Sequence, residues 1–169
     1  MPAKKKTTPR PKAAAGKGKS KSAARKPART KGTKRKAGRA DVPQFFRMNV
    51  EVGDLDAAID FYRTLLGVAG RKQAGARCYF ECGPVTLQVL DVSSARSPHP
   101  AAKALYFTVR DLEAPFERAR ALGCLSRENV HDAPGGGIVV RPWGERSFYA
   151  EDPWKNPLCF VEEGTVYAG

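Results

Sequence analysis

Residues 1–40 contain no Asp or Glu and, after Met1, no Val, Ile, Leu, Phe, Tyr, Trp, Met or Cys. A segment without large apolar side chains has nothing to bury against the entropy cost of ordering, so a folded domain is excluded there and disorder is expected. No apolar run is long enough to span a bilayer. The basic start is followed by no apolar segment, which argues against a secretory signal, and it has no apolar face of the kind a mitochondrial presequence shows. Histidine is scarce, with only His99 and His131 in 169 residues. The four cysteines, Cys78, Cys82, Cys124 and Cys159, carry no sign of export and are expected as reduced thiols in a cytoplasm.

What is present is divided unevenly. The 1–40 tail holds 16 of the 30 Lys and Arg, which leaves 14 against all 17 acids in the remainder. The net charge of +13 therefore belongs to the tail. Its clusters, Lys4, Lys5, Lys6, Arg25, Lys26, Lys34, Arg35 and Lys36, suit a flexible polycation that binds nucleic acid by releasing counterions, without reading sequence. The composition resembles the Lys-Ala-Pro-rich arms of linker histones and of some bacterial nucleoid proteins. That resemblance implies a nucleoid-associated location; the other reading is a solubilising extension.

From Phe45 onward the chain reads as one domain, residues 44–169, built twice. Val52-Gly53-Asp54-Leu55-Asp56-Ala57 recurs as Val109-Arg110-Asp111-Leu112-Glu113-Ala114, and each copy runs to a Leu-Gly, at Leu66-Gly67 and Leu122-Gly123. Duplication at this spacing marks a repeated strand–helix unit. Met48, Val50 and Val52 alternate with polar residues as a strand does. Asp54 predicts an N-cap, Leu55 to Leu66 a helix with one apolar face, and Gly67 its C-cap. Strands are expected at Cys78–Cys82, Val85–Val92, Leu105–Val109, Ser147–Glu151 and Leu158–Glu162, with Asp111 capping a second helix and a long loop from His131 to Arg146. The fold class is α+β, two βαβββ modules at about 44–92 and 103–166.

The paired V-x-D-L-[DE]-A…L-G openings, with the closing Arg146-Ser147-Phe148-Tyr149-Ala150-Glu151-Asp152-Pro153-Trp154-Lys155-Asn156-Pro157-Leu158-Cys159-Phe160-Val161-Glu162, resemble the vicinal oxygen chelate superfamily. Its members include glyoxalase I, extradiol dioxygenases and bleomycin-resistance proteins. Metal-using members take one ligand from the first strand and one from the last strand of each module. At the matching positions this chain has Arg47, Gln88, Ala104 and Cys159. A guanidinium has no lone pair to donate and alanine has no donor, and Gln with one Cys is a poor divalent site. The resemblance therefore implies the fold without the usual metal, and no cofactor is expected.

Strand parity puts Val50, Val52, Leu87, Val89, Phe107, Val109, Leu158 and Phe160 under the helices. The other face carries Arg47, Asn49, Glu51, Thr86, Gln88, Ala104, Tyr106, Thr108 and Cys159. Within the family such a face is a ligand groove; otherwise it is the solvated side of a half-buried sheet. Arg47 favours a carboxylate or phosphate, so the ligand is expected to be anionic, unless Arg47 pairs with Glu51 or another acid. Trp143, beside Arg141 and Arg146, forms a groove rim or plugs a core edge. Trp154 is expected at a surface or dimer contact, and relatives' glycine at the position of Lys155 implies an unusual turn. Binding residues are thus Arg47, Asn49, Glu51, Gln88, Tyr106, Thr108, Trp143 and Cys159, with no catalytic residue assigned. The favoured function is small-molecule binding of bleomycin-resistance type by a homodimer. The rivals are a glyoxalase- or lyase-type enzyme with an atypical metal site, and a DNA-associated protein whose domain only dimerises.

Overall fold

A computed structural model describes residues 43–167 of the chain. The basic tail, with Lys4, Lys5, Lys6, Arg25, Lys26, Lys34, Arg35 and Lys36, lies outside the described residues. The first module runs β1 (Arg47–Val52), α1 (Leu55–Leu66), β2 (Arg71–Gln73), β3 (Arg77–Cys82) and β4 (Val85–Asp91). The second repeats the order as β5 (Leu105–Val109), α2 (Glu113–Ala121), β6 (Val139–Val140), β7 (Arg146–Glu151) and β8 (Pro157–Glu162). Each forms its own four-stranded sheet, β1-β4-β3-β2 and β5-β8-β7-β6. In both, the first strand pairs parallel with the last and the other pairings are antiparallel. The two βαβββ modules read from the sequence are present. One correction concerns β6, which lies inside the stretch expected as loop; two residues are too few to show a strand periodicity.

Helix starts follow local chemistry. Asp54 Oδ1 accepts from the Ala57 amide at 3.0 Å, and Gly67 closes α1 in the left-handed region at φ 70°. In the second copy Asp111 Oδ1 accepts from the amides of Glu113 and Ala114, at 3.1 and 3.3 Å. The helix itself begins later, at Glu113. The reason is Pro115, which cannot donate the bond that Ala58 N makes to Asp54 O at 3.0 Å.

Val50, Val52, Leu87 and Val89 from one sheet and Leu158 and Phe160 from the other are buried in one core with Tyr62 and Leu65 of α1. Phe148 stacks on Phe160 at 5.0 Å, and Phe107 on Phe160 at 5.2 Å. Both sheets therefore turn their other face away from a shared core. All four cysteines are thiols.

The modules are fastened by the turn between β7 and β8. Asp152, only 2% exposed, receives Tyr62 Oη at 2.7 Å from α1. It also receives the amides of Trp154 and Asn156, at 2.9 and 2.8 Å, and Asn156 Nδ2 at 2.8 Å. Asn156 Nδ2 donates in addition to Glu51 O of β1 at 3.0 Å, and Asn156 Oδ1 accepts from the Ala101 amide at 2.8 Å. Four donors satisfy the carboxylate, which is what makes its burial tolerable. Burial, reinforced by Asp152, pushes the Tyr62 hydroxyl far above its usual range. Trp154, expected at a surface or dimer contact, is partly buried and packs against the core. Its Nε1 lies 2.9 Å from where a side chain on Gly53 would begin, so it seals the turn onto β1. Lys155 completes the turn at φ 71°, a conformation that glycine adopts without strain.

Replacing Asp152 by Ala leaves the Tyr62 hydroxyl and three donors of the turn without their acceptor, and is expected to lower stability by about 3–5 kcal/mol; Tyr62→Phe is expected to cost about 1.5–3 kcal/mol. Urea unfolding followed by tryptophan fluorescence measures both. Equal, sub-kilocalorie losses would show that the turn is not the fastening.

Candidate functional site: the polar faces of the two sheets

On the first sheet, register sets Asn49, Gln88, Tyr79 and Arg71 side by side across four strands. Arg47, two residues before Asn49, lays its guanidinium over the Tyr79 ring at 4.8 Å and over Phe46 at 5.1 Å. Arg71 reaches the same tyrosine at 5.4 Å. The ring is thus flanked by two cations, each held by cation–π attraction. Arg47 Nη1 makes a long contact of 3.5 Å to Gln88 Oε1. Arg71 is paired with Glu81 at 3.1 Å. No carboxylate lies in ion-pair range of Arg47 among the described residues, and Arg47 and Asn49 are exposed.

The expected alternative for Arg47, pairing with Glu51, does not occur. Glu51 accepts instead from Arg96 and from the His99 amide at 2.9 Å, both in the linker between modules. The Arg96 and His99 contacts pull the Glu51 carboxyl down to about 2. Glu51 thus ties down the linker, and its charge is engaged.

The second sheet presents a different surface. Tyr106, Cys159 and Tyr149 form one cross-strand row, and the Tyr106 and Tyr149 hydroxyls meet at 3.0 Å. Above this row lies Arg141, 4% exposed, with its guanidinium over the Tyr149 ring at 5.0 Å. Its Nε donates to Ser147 Oγ at 2.9 Å and its Nη1 to Val130 O at 2.9 Å. The loop before β7 therefore folds back over its own sheet. Cys159 is 1% exposed, whereas the sequence reading put it in an open groove. Burial pushes its thiol up to about 11 despite contacts with Tyr149 and Arg141. Tyr106 and Thr108 on β5 stay exposed. Trp143 stands at the loop's edge, 37% exposed, edge-on to His131 at 4.8 Å and donating to Glu145 Oε2 at 2.8 Å.

Sequence reasoning missed Tyr79, which was inside a recognised strand, where parity alone would have put it beside Gln88. It noted Arg141 only as a neighbour of Trp143; that Arg141 is buried over Tyr149 depends on how a long loop folds back.

The family's metal positions can be judged from this chemistry. Arg47 and Gln88 face each other across the first sheet, Ala104 brings no donor, and Cys159 is a protonated thiol beneath a second guanidinium. Two cations and no carboxylate do not fit a divalent ion. No group of three or more His, Cys, Asp or Glu is placed to hold a metal among the described residues.

The architecture of paired βαβββ modules and this face define the class. A model of the Glyoxalase/Bleomycin resistance protein/Dioxygenase superfamily matches residues 44–160. The chain belongs to that superfamily. No curated protein gives a significant match. Among solved structures, one named "Oxidase ChaP-H2" is 25% identical over 75% of this chain and 98% of its own, with a TM-score of 0.61. A lactoylglutathione lyase from Agrobacterium tumefaciens is 24% identical over 73% of this chain and 96% of its own, with a TM-score of 0.53. A glyoxalase/bleomycin resistance protein from Albidiferax ferrireducens T118 is 21% identical over 69% and 97%, with a TM-score of 0.57. At these identities the latter two are likenesses of fold.

The Glu51 contacts set a pH signature. A carboxyl lowered from 4.5 to about 2 contributes stability that is complete above its unfolded value and disappears as pH falls from about 4.5 through about 2. Glu51→Gln is expected to flatten the stability profile in that acid window while leaving the slope above pH 6 unchanged. Identical acid profiles for the two proteins would remove Glu51 from the linker's attachment.

Proposed function

We propose that the domain is a metal-free, non-catalytic binder of a small anionic molecule, held on the polar face of the first sheet by Arg47. The observation that carries this is the Arg47 guanidinium, exposed, without a carboxylate in range, and steadied by Tyr79 rather than neutralised. A carboxylate or phosphate ligand would supply the missing charge through paired hydrogen bonds. Asn49 and Gln88 beside it would orient the ligand's other polar atoms. Tyr106 and Thr108 would be reached from the second sheet, with Trp143 at its margin. Sequestration needs a groove and no metal, which relates this reading to the bleomycin-resistance members of the family. The sign of the charge differs from what a cationic drug would require.

The basic tail is proposed to hold the protein on nucleic acid without sequence preference, giving a cytoplasmic, nucleoid-associated binder. No helix among the described residues is long and apolar enough to cross a membrane. The exposed Phe45 and Phe46 ahead of β1 favour pairing with a second copy. Sedimentation of the full chain as a single copy at micromolar concentration would overturn that pairing.

A thermal-shift screen of carboxylates and phosphate esters is expected to yield stabilising anions whose effect Arg47→Ala abolishes. Metal loading with zinc, nickel, iron and manganese is expected to leave less than a tenth of an equivalent bound. Near-stoichiometric metal, or anion stabilisation unchanged in Arg47→Ala, would overturn the reading. For the tail, affinity for duplex DNA is expected to fall by roughly a thousandfold or more between 50 and 200 mM salt, irrespective of sequence. A flat salt dependence would refute it.

A further inference from the structure

The turn that fastens the modules has a differently built counterpart in the first module, between β3 and β4. The spacing that relates Leu66-Gly67 to Leu122-Gly123 puts Arg118 of α2 at the position of Tyr62 of α1. Sheet register matches Tyr79 and Gln88 with Tyr149 and Cys159. Three residues along each strand, Cys82 stands where Asp152 does, and Val85 where Asn156 does. Only Gly83-Pro84 separates Cys82 from Val85, one residue fewer than the three between Asp152 and Asn156, and there is no equivalent of Trp154.

Where Tyr62, Asp152 and Asn156 close the contact on one side, the other side has a cleft of about 670 Å3. Cys82, Val85 and Arg118 all line it, as the internal symmetry requires. Its remaining wall is mainly apolar, with Leu66, Leu105 and Phe107 prominent. Arg118 Nε donates to Leu65 O at 2.9 Å, with its guanidinium packed against Gly67, 3.4 Å from where a side chain there would begin. No carboxylate is in ion-pair range of Arg118 among the described residues. Glu81 also borders the cleft, but its oxygens are taken by Arg71 and Thr86, at 3.1 and 3.0 Å.

We propose that this inter-module cleft is a second binding site, which takes a carboxylic acid with an apolar, planar body. The ligand's carboxylate would stand to Arg118 as Asp152 stands to Tyr62, and its body would fill the space that Trp154 fills opposite. The volume lies in the range of small-molecule sites, and an apolar wall with one unneutralised guanidinium selects an amphipathic anion. The cleft shares Tyr106 and Thr108 with the site proposed around Arg47 but uses a different cation, so Arg47→Ala and Arg118→Met tell the two apart.

The test titrates the full chain calorimetrically with 2-naphthoate and with neutral 2-naphthylmethanol. Naphthoate is expected to bind at least tenfold tighter than the alcohol and to shield Cys82 from alkylation in peptide mapping. Arg118→Met should erase that preference while leaving the alcohol's affinity within twofold, and Arg47→Ala should preserve it. Val85→Trp, which fills the cleft and keeps the cation, should abolish binding of both, and it decides the matter if Arg118→Met does not fold. A preference that survives Arg118→Met overturns the proposal. So does binding that survives Val85→Trp. Absence of naphthoate binding, with Cys82 shielded only as protein concentration rises, also overturns it and shows that a second copy covers the cleft.

Discussion

The buried carboxylate of Asp152 is the constraint on which the arrangement of this domain rests. Each module can form its own sheet and cap its own helix from local chemistry. Neither can decide where its partner sits. Asp152 makes that decision, because a carboxylate at 2% exposure must collect its donors, and one of them, Tyr62, belongs to the other module. Asn156 extends the requirement to the backbone of β1 and to the linker. A directional network with no slack selects one docking geometry where apolar packing alone would tolerate several.

Each sheet turns a polar face away from the shared core, and the two faces are not equivalent. The first is open and basic, with Arg47 steadied on Tyr79. The second is largely closed by its own loop, with Arg141 over Tyr149 and Cys159 beneath. Duplication supplied two copies of a surface. Divergence in one loop has covered part of one of them, over Tyr149 and Cys159, and left Tyr106 and Thr108 exposed. The family's metal positions differ as well: Arg47, Gln88, Ala104 and a protonated Cys159 thiol stand where the metal-using members carry ligands.

Much of the fold was legible because it rests on periodicity. The alternation Met48-Val50-Val52 and Leu105-Phe107-Val109, and the caps Asp54, Asp111 and Gly67, each report a local geometry that a short stretch of chain carries by itself. The site was legible only in part. Parity placed Arg47, Asn49, Gln88, Tyr106 and Thr108 on the faces turned away from the core, since side-chain direction along a strand is a local property. It could not tell that Cys159, on that same face, would be buried, nor that Glu51 would be claimed by Arg96. Both depend on segments distant in sequence and irregular in conformation.

The amino-acid order by itself determined the two modules, their register-bearing strands, the polar and apolar faces, and the residue types, Arg47, Gln88, Ala104 and Cys159, at the family's metal positions. These follow from side-chain chemistry and from spacings of two and 3.6 residues. Only the tertiary structure decided which cations remain without a carboxylate, which face is covered, and that one inter-module contact is sealed while its counterpart is a cleft. Those outcomes hinge on pairings across the chain, such as Tyr62 with Asp152, between residues 90 positions apart. No local pattern encodes them, because the partner's distance and direction exist only once the chain has closed on itself.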